Sequence, residues 1–218
     1  MRIPFAAKLN HLRDVRRKIE SGKPVNITVF CSGNGDRSPL AEAAMREAFE
    51  NAGYANVRVT SFGTSVKAKD QGQPASLATR NYAAKMGLNL NLHERRHMGD
   101  EDVKKEIAEA DIIFAISPAH RLMAAEYSSD APEAPAKSFL LRSWSLKGFA
   151  NRSQWLEPLL LGRQSLLHRI PSRLRLPDPF FNFGKGRITE GEGDLNMTRI
   201  AAEKAAARLM GRKYAGER

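Results

Sequence analysis

Cysteine is almost missing from this chain: Cys31 is the single one among 218 residues. That excludes an intramolecular disulfide framework, fits a reducing compartment such as the cytoplasm, and assigns any thiol chemistry to one side chain. Aromatic residues are sparse at 7%, which leaves little material for base-stacking platforms, so a nucleic-acid partner is not expected. No uninterrupted apolar run approaches the ~18 residues that span a bilayer. The first twenty residues hold no apolar block long enough for a secretory signal. Acidic residues are also short, 24 against 35 basic ones, for a formal charge of +11. Such a charge favours anionic ligands and leaves the fold undetermined.

What is present alternates between short apolar runs and amphipathic segments, the pattern of a parallel sheet covered by helices. VNITVF (25–30), VRVTSFG (57–63), DIIFAIS (111–117) and SFLLR (138–142) read as strands. Helices are predicted over 39–53, opening on Pro39 and closing on Gly53, over 74–87, again between Pro and Gly, and over about 100–110, capped by Asp100. Further helices are predicted over 117–127 and about 194–210. Leu9, Leu12, Val15 and Ile19 recur at helical spacing, so residues 1–24 read as an appended helix rather than a transit peptide. Residues 25–212 then form one domain. An insertion at 143–176 interrupts it, rich in Leu and Arg with Glu157 its only acid. A loop of that length usually has a function or local structure of its own.

The segment VFCSGNGDRSPLAEA (29–43) joins the first strand to the first helix. A thiol is a weak nucleophile until it loses its proton, and a helix N-terminus beside a guanidinium lowers its pKa from ~8.5 to roughly 3.5–7.5. Gly33 and Gly35 allow successive backbone N–H groups to converge on an anion. Arg37 can grip two phosphoryl oxygens at once, which a lysine cannot. Ser38 is placed to donate to the thiolate or to a bound oxygen. Phosphate, sulfate or arsenate would suit such a cradle.

This loop resembles the signature of the low-molecular-weight protein tyrosine phosphatase family, C-x-G-N-x-x-R-S-P-x-A-E. TSFGT (60–64), NLHERR (91–96), ADIIFAIS (110–117) and LPDPFF (176–181) follow in the family's order. The resemblance implies an α/β fold: a three-layer, four-stranded parallel sheet flanked by helices. It implies that Cys31 attacks phosphorus to give a phosphocysteine while Arg37 and the loop (Ser32, Gly33, Asn34, Gly35, Asp36, Ser38) hold the phosphoryl oxygens. Asp178, between Pro177 and Pro179, would protonate the leaving oxygen and later activate water. Phe180 would line the pocket. Asn34 matches the residue that holds the loop's strained backbone, with Ser61 and His93 as its supports. No metal or organic cofactor is implied, and the partner would be a phosphorylated protein or another anionic phosphomonoester.

HERRH (93–97) also satisfies a zinc-peptidase pattern, but that chemistry needs both histidines on one face of a settled helix and a third ligand. Gly99 and Asp100 follow at once, so His93 reads better as a support of the phosphate loop. Departures from the family matter more. Asp36 stands where many members have a second cysteine, and a carboxylate there raises the thiol pKa unless it points away or pairs with a cation. Lys67 and Ala68 stand where an aromatic wall is expected, and Phe180 where a Tyr often follows Asp-Pro. Gly35 replaces the bulkier residue that separates tyrosine from arginine phosphatases, which opens the pocket. Arg142, just before the insertion, and the insertion's Arg152, Arg163, Arg169, Arg173 and Arg175 could hold an acidic partner, and Trp155 with the leucines a membrane face. Two alternatives stay open: a catalytically weak phosphate- or phosphoprotein-binding module, and an arsenate reductase completed by a small external thiol.

Overall fold

The computed structural model describes residues 5–116, 120, 137–141, 188–212 and 214. The short apolar runs form one sheet: β1 (Val25–Cys31), β2 (Val57–Gly63), β3 (Ile112–Ala115) and β4 (Ser138–Leu140). Their order is β2-β1-β3-β4 and every pair is parallel. Parallel neighbours cannot be joined by a hairpin, so β1 reaches β2 through the crossover helix α2 (Arg37–Asn51). Around the sheet stand α1 (Phe5–Glu20), α3 (Leu77–Lys85), α4 (Glu101–Glu109) and α5 (Ile188–Leu209).

A sheet buried on both faces explains why β1 reads as nearly continuous apolar residues. Val25, Ile27, Val29 and Cys31 pack on one side with α1, α2 and α5, through Val15, Ile19, Leu40, Met45 and Phe49. The α5 contribution is mostly alanine (Ala201, Ala202, Ala205, Ala206), and such small side chains let the two helix backbones approach closely. Phe30 points the other way and joins Phe62 and Ile113 beneath Met98, Val103 and Ile107, the last two from α4. The result is three layers, helix, sheet and helix. Ile19 of α1 is fully buried, worth about 1.5–3 kcal/mol relative to exposure. Lys8 Nζ donates to the Ser138 carbonyl at 2.9 Å and Lys18 Nζ pairs with Asp111 at 2.6 Å, fastening α1 beside β3 and β4.

Several element boundaries differ from the sequence reading. Helix α3 begins at Leu77, not Pro74, because Ser76 Oγ accepts from Thr79 N at 3.2 Å and caps it. Asp100 precedes α4 without capping it: its carboxylate accepts instead from His97 N at 3.1 Å and Gln71 Nε2 at 2.9 Å. Helix α5 starts at Ile188 rather than Asp194 and runs through Gly191 and Gly193. The expected helix at 117–127 lies outside the described residues except for His120. The 143–176 insertion and the LPDPFF segment, with Pro177, Asp178, Pro179 and Phe180, also lie outside them.

Open parallel sheets bind ligands beyond the carboxyl ends of their strands, where the strand order reverses. Here β1 connects onward to β2 on one side and borders β3 on the other, so that point lies at the end of β1. Cys31 is the residue there.

Candidate active site

Five residues, 32–36, carry the chain from the end of β1 to the start of α2. The first bond of that helix runs from Leu40 N to the Asp36 carbonyl at 3.2 Å. The N–H groups of Arg37 and Ser38 therefore have no acceptor within the helix, and Pro39 has no N–H to leave over. This positive helix end meets the strand at Cys31. Cys31 Sγ lies 2.9 Å from Ser38 Oγ. Ser38 Oγ already accepts from Asn34 Nδ2 at 3.0 Å, so its own proton can go to sulfur or to the more distant Phe62 carbonyl at 3.4 Å. A thiolate takes that proton as a hydrogen bond; a thiol competes with it. Arg37 is buried in the helix's first turn.

The loop's bend is held at Asn34, with φ at +48°, the one described non-glycine residue in the left-handed region. Asparagine tolerates that conformation better than most residues. Its side chain is also fully employed. Nδ2 donates to Ser61 Oγ at 2.9 Å as well as to Ser38, and Oδ1 accepts from Arg96 N at 2.9 Å. His93 Nε2 donates to the Asn34 carbonyl at 3.1 Å. Glu42 stands behind these supports: Ser61 Oγ donates to its Oε2 at 2.7 Å, and His93 Nδ1 lies 3.6 Å from the same oxygen. His93 to His97 is not helical, so the two histidines share no helix face. His97 Nδ1 accepts from Gly99 N at 3.0 Å.

Asp36 does not face the thiol. Its Oδ1 accepts from Thr79 Oγ1 at 2.7 Å and from Ser76 Oγ, at the start of α3. The carboxylate is turned toward α3, the outward-pointing arrangement that the sequence reading allowed for.

Residues 26–175 match the model of the family described as low molecular weight phosphotyrosine protein phosphatase. The chain belongs to this family of phosphatases. No curated protein matches it in sequence. Among solved structures, a protein tyrosine phosphatase from Entamoeba histolytica is similar at 20% identity and TM-score 0.60, over 86% of this chain and 97% of that one. Wzb from Vibrio vulnificus, in complex with benzylphosphonate, is similar at 18% identity and TM-score 0.57, over 84% and 98%. The YwlE arginine phosphatase from Geobacillus stearothermophilus is similar at 22% identity and TM-score 0.57, over 86% and 94%. At those identities the likeness speaks for the fold.

Three further residues of this phosphatase serve the loop and were not singled out from sequence. Glu42 was visible only as a letter of the signature. Gly63 ends β2 opposite Cys31; a Cβ there would stand 2.6 Å from the Ser32 carbonyl oxygen and 3.0 Å from Asn34 N, so only glycine lets the loop lie against the strand. His120 Nε2 bonds Ser32 Oγ at 2.8 Å from the β3 side. No periodicity marks that histidine, and the contact spans 88 residues of chain.

The rim of the site is different in kind. Ser65 N donates to the Ser32 carbonyl at 2.8 Å and Thr64 N to the Cys31 carbonyl at 2.9 Å. The segment that follows carries exposed Lys67, Ala68 and Lys69 beside the loop. The space above Gly35 is occupied: a Cβ there would meet Arg95 Cζ at 2.9 Å. The absence of a side chain at Gly35 therefore does not simply widen the pocket, since a guanidinium lies in its place.

Proposed function

We propose that this phosphatase hydrolyses phosphomonoesters of proteins through a phosphocysteine on Cys31. The observation that carries the reading is the Cys31–Ser38 contact of 2.9 Å at the N-terminal turn of α2, with Arg37 buried in the same turn. The Cys31 thiolate attacks phosphorus, an S–P bond forms, and the ester O–P bond breaks. Arg37 and the loop N–H groups stabilise the equatorial oxygens as charge spreads over them. Asp178 gives its proton to the leaving oxygen, then takes one from the water that breaks the S–P bond and releases phosphate. Asp178 lies outside the described residues and three positions past the family match, so its role rests on the Asp-Pro segment alone. A cytoplasmic location belongs to this reading, since a lone cysteine suits a reducing compartment.

The weak-binding alternative drew on Asp36 and on the basic insertion; the turn of the Asp36 carboxylate toward Ser76 and Thr79 weakens the first support, and the insertion lies outside the described residues. The test is phosphate release from para-nitrophenyl phosphate between about pH 4.5 and 8, where a thiolate nucleophile and a carboxylic acid can coexist. Loss of turnover in Cys31→Ser and a drop of about 10²–10⁴ in Asp178→Ala are expected. A folded wild-type protein that releases no phosphate at any pH overturns the reading.

A further inference from the structure

We infer that Arg95 forms a second anion position beside the phosphate loop, selecting phosphopeptides that carry a carboxylate next to the phosphorylated residue. The inference names a substrate class for the proposed phosphatase site and rests on that reading. Its first support is the placement of the guanidinium. A Cβ at Gly35 would lie 2.9 Å from Arg95 Cζ and 3.1 Å from Nη2, so the planar group rests on the loop where another residue would put a side chain. Gly35 is not among the positive-φ residues; its lack of a side chain serves the arginine rather than a turn.

The arginine is held in that place. Nε donates to the Pro74 carbonyl at 3.0 Å. The backbone around it is tied by Gly72 N to the Arg95 carbonyl at 2.9 Å and by Arg95 N to the Gln73 carbonyl at 2.8 Å. Ser76 N donates to the Gly35 carbonyl at 2.8 Å, so residues 72–76 link the arginine to the loop. Its charge is only loosely met: Asp70 Oδ1 stands 4.0 Å from Nη1, and among the described residues Nη2 has no hydrogen-bond acceptor. The Asp36 carboxylate is directed toward the hydroxyls of Ser76 and Thr79 at the start of α3. Exposed Lys67 and Lys69 add positive charge along the same rim. A guanidinium offers a fork that matches a carboxylate with two parallel bonds. With Arg37 assigned to the phosphoryl group, Arg95 is the second fork beside the same loop.

The test compares two phosphotyrosyl peptides, one with Asp on both sides of the phosphorylated residue and one with Asn. In the wild-type enzyme kcat/KM is expected to favour the Asp peptide by about ten-fold, the scale of a part-exposed charge-assisted hydrogen bond. In Arg95→Gln the ratio should fall to near one, with Arg95→Lys between the two. Gly35→Leu keeps the arginine but takes its place on the loop, and should also lose the preference. A wild-type ratio near one, or a ratio preserved in Arg95→Gln, overturns the inference and leaves Arg95 as packing for the loop. Affinity of Cys31→Ser protein for the same two peptides gives the comparison without turnover. If wild type fails on para-nitrophenyl phosphate, the catalytic reading falls, while a binding ratio near one is what defeats the Arg95 position.

Discussion

The floor of the site and its rim are built by opposite rules. On the floor, Asn34, Ser38 and Ser61 are buried and each has a dedicated partner: Asn34 alone joins Ser38, Ser61, Arg96 N and His93. On the rim, Lys67 and Lys69 are exposed, and Arg95 meets its carboxylate only at 4.0 Å. A buried network must be fully satisfied, because each orphaned group costs the whole of its desolvation. A rim carries no such demand, and charge there can be spent on recognition. On the proposed reading the floor fixes which atom is attacked, and the rim selects what that atom is attached to.

The largest expected effect is on the floor. Arg37→Lys keeps the charge and loses the fork, so kcat/KM for para-nitrophenyl phosphate should fall by about 10²–10³. A fall of only a few-fold would mean that a point charge suffices, and that floor and rim do not differ in this respect.

Next in size is Asn34. Replacement by Ala removes the three side-chain hydrogen bonds and leaves a Cβ in the left-handed region, so denaturant unfolding should show a loss of about 2–4 kcal/mol. Replacement by Gly relieves the strain and should recover about 1 kcal/mol of it. Equal losses in the two variants would assign the whole cost to the hydrogen bonds.

A gain on the rim sharpens the contrast. Lys67→Phe restores an aromatic wall and should raise kcat/KM for para-nitrophenyl phosphate over a non-aromatic phosphomonoester by about 2- to 10-fold. No change in that ratio would show that this position does not reach the substrate.

The smallest effect concerns the brace behind the loop. Arg96, whose N–H bonds Asn34, pairs through Nη2 with Asp102 at 2.6 Å and with Glu106 at 3.1 Å. The hydrogen bond from Arg96 holds the Asp102 carboxyl below its ordinary range. A lowered carboxyl pKa means that the unfolded state binds more protons, so its contribution is present above about pH 4 and fades as pH falls further. Asp102 is largely exposed, which limits the effect of Asp102→Asn to a few tenths of a kcal/mol at pH 7. A thermal melt at pH 7 and one near pH 3 check both the size and the sign.

What could be read from the sequence follows the same division. The floor is local: a strand, a Gly-Asn-Gly turn and Arg-Ser-Pro opening a helix lie within fifteen residues, so spacing alone assembles Cys31, Arg37 and Ser38. The parallel sheet and its covering helices follow from the alternation of apolar and amphipathic segments, whereas the order β2-β1-β3-β4 does not. The rim is assembled across the chain, and no local pattern announces it. The direction of Asp36 depends on Ser76 and Thr79, some forty residues on. The filling of the space above Gly35 depends on Arg95, which the sequence showed only as part of a histidine motif. The roles of Gly63 and His120 have no local pattern for the same reason, since each acts on the loop from another strand's end. The early start of α5 was hidden by Gly191 and Gly193, whose low helix propensity is overridden within the folded chain.

The central claim is that phosphorus passes through sulfur on the floor of this site. It is tested most directly by acid-quenching the enzyme during turnover of an aromatic phosphomonoester and locating the phosphoryl group by peptide mass spectrometry. The account predicts a labile phosphoryl group on the peptide bearing Cys31, absent from Cys31→Ser protein treated in the same way. Steady turnover with no phosphorylated Cys31, or with the label on another residue, would contradict it.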